Sequence, residues 1–140
     1  MDNSEDGLVK VTDDNNCFAC GENNPQGLHL SFDYSEDGEA AWTHFTPGKN
    51  HEGWAGIVHG GITAVVLDEV SAKLVHNMGI RAVTGRLDVR YVKPGMVSEQ
   101  LEFRAKLLRQ RGRLVEVKAE ARREDGTLVA TAMAVMFKVE

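Results

Sequence analysis

In the stretch HGGITAVVLDEV, residues 59–70, a histidine and two glycines stand at the head of an apolar run that carries two adjacent acids. Gly60 and Gly61 fall where the first turn of a helix leaves its N–H groups without partners, and with no Cβ they let a ligand oxygen come close. The helix dipole favours negative charge at that end, so the pair could form an oxyanion hole; they could also serve only a tight entry from loop to helix. On a helical wheel at about 100° per residue, Glu69, Lys73, His76 and Asn77 share one arc, read as the solvated face, with Glu69 and Lys73 an i,i+4 pair. Asp68 falls at the edge of the opposite, apolar side. A semi-buried carboxylate is costly unless it is paired or used, which leaves a structural bond or an acid–base role. Gly60 and Asp68 lie about 12 Å apart along one helix, at ~1.5 Å per residue. They can serve one reacting carbon only if the acid comes from a second helix running the opposite way, as in a two-fold dimer.

The elements that must position these residues follow from period. LHLSFDY alternates Leu28, Leu30, Phe32 and Tyr34 on one face, EAAWTHFT follows, and the Asp-Gly between them marks a hairpin. PGKNHEGWAGIV is a glycine-rich loop of a kind that often belongs to a site. From Gly60 to about Met78 there is neither proline nor strict alternation, and Gly79 supplies a stop, which predicts one long helix. The period then returns to two. VTGRLDVRYV places Leu87, Val89 and Tyr91 on one face and Arg86, Asp88 and Arg90 on the other, and EQLEFRAKLL and RLVEVKAEAR alternate likewise. TLVATAMAVMFKV is almost wholly apolar and is expected to be central and covered on both faces. The expectation is an α+β fold: two strands, one helix, then four strands in an antiparallel meander, about five to six strands wrapped around one central helix. Residues 1–14, polar and acidic, are expected to be flexible, with a single domain over 15–140.

Net charge of −5 argues against a nucleic-acid partner, but residues 81–113 hold 9 basic and 3 acidic side chains, a local balance of +6 that could draw an anionic small molecule. No apolar run is long enough for a membrane helix, and the acidic start MDNSEDGLVK does not look like a signal peptide, so the expected place is the cytoplasm. Cys17 and Cys20 are half of a zinc signature; His29, His44 or the same pair of a second subunit could complete it, but a reduced, buried pair is the leading reading.

Taken together, HGGITAVVLDE, CFACGENNPQGLHL, EGWAGIVHGG and TGRLDVRYVKPG resemble the hotdog-fold acyl-CoA thioesterases of the PaaI-like branch, over Cys17 to about Val139. The resemblance implies a homodimer, or a tetramer made of dimers, acting on an acyl-CoA substrate without cofactor or metal. Asp68 would be general base or nucleophile, Gly60, with Gly61 nearby, the oxyanion donor, and His59 would orient the loop or help hold the carbonyl. Thr84 occupies the place where relatives often hold the attacking water. Strand parity puts it on the wrong face unless Gly85 introduces a bulge. Several relatives carry Asn or Gln upstream of the His-Gly-Gly, where this chain has His51 and Glu52. Arg86, Arg90, Lys93, Arg109, Arg111 and Arg113 become candidate contacts to the phosphates of coenzyme A. The competing readings are a non-catalytic acyl-CoA or acyl-ligand binding protein and a metal-stabilised structural module.

Overall fold

The computed structural model describes residues 10–139. Six antiparallel strands form one sheet: β1 (Asp33–Tyr34), β2 (Ala40–Phe45), β3 (Ala82–Tyr91), β4 (Leu101–Arg111), β5 (Leu114–Arg123) and β6 (Leu128–Lys138), in the order β1-β2-β4-β5-β6-β3. The sheet packs around α1 (Gly60–Asn77), which lies against β2, β3, β4, β5 and β6. Its core-facing side chains include Val66, Leu67, Val70 and Leu74, all fully buried against Leu101, Phe103, Val117 and Met136. Each such aliphatic side chain contributes about 1.5–3 kcal/mol by leaving water. Ser71, also buried, is satisfied by donating to the Leu67 carbonyl at 2.9 Å. Gly79, at φ +82°, ends the helix where the sequence places its stop. No helix among the described residues is long and apolar enough to cross a membrane.

Three expectations are corrected. The last four strands are not a simple meander: β4, β5 and β6 are, but β3 pairs with β6 at the far edge while β4 pairs with β2. The link from Val92 to Gln100 is too long for a tight hairpin and carries the chain across the amino end of α1, where Val58 donates to the Gly95 carbonyl. LHLSFDY forms only the two paired residues of β1, because His29 sits at φ +54° and Leu28 and Leu30 donate instead to the carbonyls of Phe18 and Ala19. The expected hairpin follows, with Gly38 at φ +75°. Finally, β6 is interior to the sheet but covered on one face: Ala130, Ala132, Ala134 and Met136 are buried, whereas Met133 and Val135 are half-buried and Phe137 is exposed.

Of the stretch expected to be flexible, residues 1–9 lie outside the described residues. Val11 accepts a hydrogen bond from Arg81 at 2.8 Å.

Candidate active site

The amino end of α1 is capped by His59, whose extended backbone (φ −60°, ψ 133°) turns its ring so that Nδ1 accepts the Gly61 N–H at 2.8 Å. A nitrogen that accepts holds no proton, so a neutral ring carries its hydrogen on Nε2. The Gly61 donor is therefore taken. The cap also favours glycine here, since a Cβ would stand 3.1 Å from His59 Nδ1 and press on the capping ring. Gly60 differs: its N–H has no acceptor among the described residues. Its carbonyl accepts from the Tyr91 hydroxyl at 2.6 Å, which ties the first turn of α1 to the end of β3. His59, Gly60, Trp54, Tyr91 and Lys93 line a cleft of about 600 Å³, and Trp54, at 82% exposure, leaves its ring available to whatever enters.

Asp68 lies further along α1, half-buried, and its Oδ1 accepts from Thr84 Oγ1 at 2.7 Å. The contact exists because strand parity breaks. Thr84 pairs with Met136 and Arg86 with Val135, so Gly85 is the extra residue of a bulge. Without it Thr84 would share the face of Arg86, away from the helix. Gly85 has a second reason to lack a side chain: a Cβ would fall 1.7 Å from the Phe137 ring, which lies over the glycine from the neighbouring strand. Gly85→Val is expected to lever that ring outward and to cost about 1–3 kcal/mol, measured by urea unfolding.

The candidate phosphate contacts separate. Lys93 borders the cleft beside Gly60. Arg86 and Arg90 alternate with the core-facing Leu87 and Val89 and so project from the outer face, Arg86 in an exposed ion pair with Asp88 at 3.0 Å. Arg109 pairs with Glu116, Arg113 donates to the Lys138 carbonyl, and Arg111 is exposed at the end of β4. His51 and Glu52 serve the loop itself. His51 Nδ1 accepts from Gly48 N–H, and its ring packs edge-on against Phe45; Glu52 accepts from Gly56 N–H at 2.8 Å, a bond that lowers its carboxyl pKa.

Glu69 requires a correction. It is not on a solvated face: the segment through Cys17 and Cys20 packs over it, Cys17 Sγ approaches its Oε2 at 3.8 Å, and Lys73 is likewise half-buried, with Phe32 nearby. The histidines proposed to complete a site with the cysteines are engaged elsewhere, His44 with Glu102 and His29 with the Asn24 carbonyl. Tyr91 is the residue that sequence reasoning missed. Alternation puts it on the face of Leu87 and Val89, but its hydroxyl partner lies 31 positions away and carries no local signal.

A curved antiparallel sheet wrapped around one long helix is the hotdog fold. Residues 55–130 match the Thioesterase superfamily model, more than half of the chain, and the chain belongs to that superfamily. No curated protein matches it. Among solved structures, a thioesterase superfamily protein is 26% identical with a TM-score of 0.78; the match covers 84% of this chain, which spans 60% of that protein's length. A hypothetical thioesterase of Streptococcus pneumoniae TIGR4, solved with coenzyme A, is 19% identical with a TM-score of 0.74, over 79% of this chain and 85% of that one. The PaaI protein of E. coli, from the phenylacetic acid degradation operon, is 18% identical with a TM-score of 0.75, over 81% of each chain.

Proposed function

We propose that this protein hydrolyses an acyl-CoA thioester to a carboxylic acid and coenzyme A in the cytoplasm, at sites shared between two copies of the chain. The observation that carries the reading is the Thr84–Asp68 hydrogen bond at the Gly85 bulge. It fixes one oxygen of a half-buried carboxylate and leaves Oδ2 with no protein donor among the described residues, open to a water molecule. The streptococcal relative supports this use: it was solved with coenzyme A, and separate structures replace an aspartate and a threonine sixteen positions apart with alanine, the separation of Asp68 and Thr84 here.

The thioester carbonyl would lie in the cleft with its oxygen on the Gly60 N–H, where the helix dipole favours the charge that develops on it. Asp68 of the partner subunit either draws a proton from the attacking water or attacks the carbonyl itself. Collapse of the tetrahedral intermediate then expels the coenzyme A thiolate, which takes up a proton; on the nucleophilic route the acyl group is left as an anhydride on Asp68, and water hydrolyses it to free the carboxylic acid and restore the carboxylate. His59 holds the first turn in place, its Nε2–H, with no acceptor among the described residues, offers a second polar group, and Gly61 serves that cap. Lys93 is placed to meet a phosphate at the mouth; Arg86 and Arg90 could reach one only around the edge of the sheet.

Sharing is supported by β3, a ten-residue strand at the sheet edge, with exposed Val83, Tyr91 and Val92 along or beside it. Such an edge invites a second strand. Pairing of β3 with its own copy about a two-fold axis would run the two helices past one another in opposite senses. A tetramer would pair two such dimers.

A panel of acyl-CoAs tests the reading, with free coenzyme A quantified by chromatography so that protein thiols do not interfere. Saturable release is expected for at least one acyl class. Tight calorimetric binding without release across the panel would instead make this a binding protein.

A further inference from the structure

Among the described residues, one group of His, Cys, Asp or Glu side chains gathers three potential metal-binding atoms: the sulfurs of Cys17 and Cys20 and a carboxylate oxygen of Glu69, all within 4.8 Å of one another. From this geometry we propose that the three residues bind one thiophilic divalent metal ion, zinc(II) foremost, clamping the amino-terminal segment onto α1. A tetrahedral zinc ion with Zn–S bonds of about 2.3 Å spaces its sulfurs by roughly 3.8 Å. The separation of Cys17 Sγ and Glu69 Oε2, 3.8 Å, is already near that of two ligands on one ion. Only a small contraction would close the set, with water as the fourth ligand.

The backbone holds the sulfurs together. Gly21 donates to the Cys17 carbonyl at 2.8 Å, closing a tight turn around the pair. A Cβ on Gly21 would stand 2.4 Å from the Cys17 nitrogen and 2.6 Å from the Asn15 carbonyl oxygen, so the turn admits no side chain there. Leu28 and Leu30 then pin Phe18 and Ala19 by main-chain bonds. The segment therefore presents both thiols to one face of α1, opposite Glu69.

Charge is consistent with a divalent occupant. Binding a divalent ion releases the two thiol protons, and two thiolates, one carboxylate and the ion sum to −1. Lys73, one turn beyond Glu69 and interacting with both Glu69 and Cys20, brings the cluster to neutrality. The ion would be structural. It does not touch Gly60 or Asp68, so metal binding and hydrolysis stand or fall separately.

Cobalt(II) titration of the reduced, metal-free full-length protein tests the site. One equivalent per chain is expected to produce a thiolate-to-cobalt charge-transfer band, and zinc should abolish it by displacement. Glu69→Gln should keep the band but bind at least ~10-fold more weakly, a loss seen even for outer-shell changes. Cys20→Ser should abolish it. Should the cysteine variant fail to fold, alkylation of the wild-type chain decides the same point: one equivalent of zinc should protect both thiols. Absence of the band and of thiol protection, or unchanged affinity in Glu69→Gln, overturns the assignment.

Discussion

Asp68→Asn is expected to lower kcat for acyl-CoA hydrolysis by ~10²–10⁴-fold, the range that a positioned acid–base group contributes. The substitution separates charge from architecture. Asparagine keeps the shape, and its Oδ1 can still accept the Thr84 hydroxyl that Asp68 now receives at 2.7 Å. It cannot take a proton from water at neutral pH or attack a thioester as a carboxylate does. The urea midpoint and the oligomeric state should therefore remain those of the native protein while coenzyme A release collapses. Retained turnover in a folded Asp68→Asn protein would remove this residue from the mechanism and leave the Thr84 bond as mere scaffolding.

What was legible in the sequence divides by range of interaction. The helix was readable because its stop, its apolar side and its glycine entry are local, and its bounds match Gly60–Asn77 closely. The Gly85 bulge was readable as a condition: parity and the expected role of Thr84 could agree only if one extra residue intervened, and the register shifts there. The path of β3 was not readable, because alternation identifies a strand but says nothing of its neighbour; β6 becomes that neighbour through pairings 39 to 56 positions away. Glu69 failed for a related reason. A wheel sorts one helix in isolation, and Glu69 and Lys73 look solvated until the segment from Cys17 to Tyr34 is laid across them. The two glycines were read as one feature, yet the structure divides their work: Gly61 makes room for the capping imidazole, and Gly60 keeps the free donor.

That division makes a second variant informative. Gly60→Pro is expected to lower kcat by ~10²–10³-fold by deleting the one N–H assigned to the developing oxyanion. Proline usually ruins a helix, but Gly60 is the first helical residue, the position where a missing N–H breaks no intrahelical bond. The preceding His59 already has the extended backbone that proline demands of its neighbour, and a Cβ at Gly60 would meet Tyr91 at an ordinary 3.4 Å. Stability should hold or rise by about 0.4–1 kcal/mol, through a stiffer unfolded chain. The decisive measurement mixes the two inactive proteins. If each site takes Gly60 from one chain and Asp68 from the other, a hybrid of Gly60→Pro and Asp68→Asn chains has one site carrying both substitutions and one carrying neither. Unfolding and refolding an equimolar mixture should then restore about one quarter of native activity, since half of the dimers are hybrids with one intact site of two. Sites built within single chains would recover nothing, because every chain in the mixture lacks either its donor or its acid. Eight residues of helix hold Gly60 and Asp68 apart in one chain, and the hybrid tests whether a second chain brings them together.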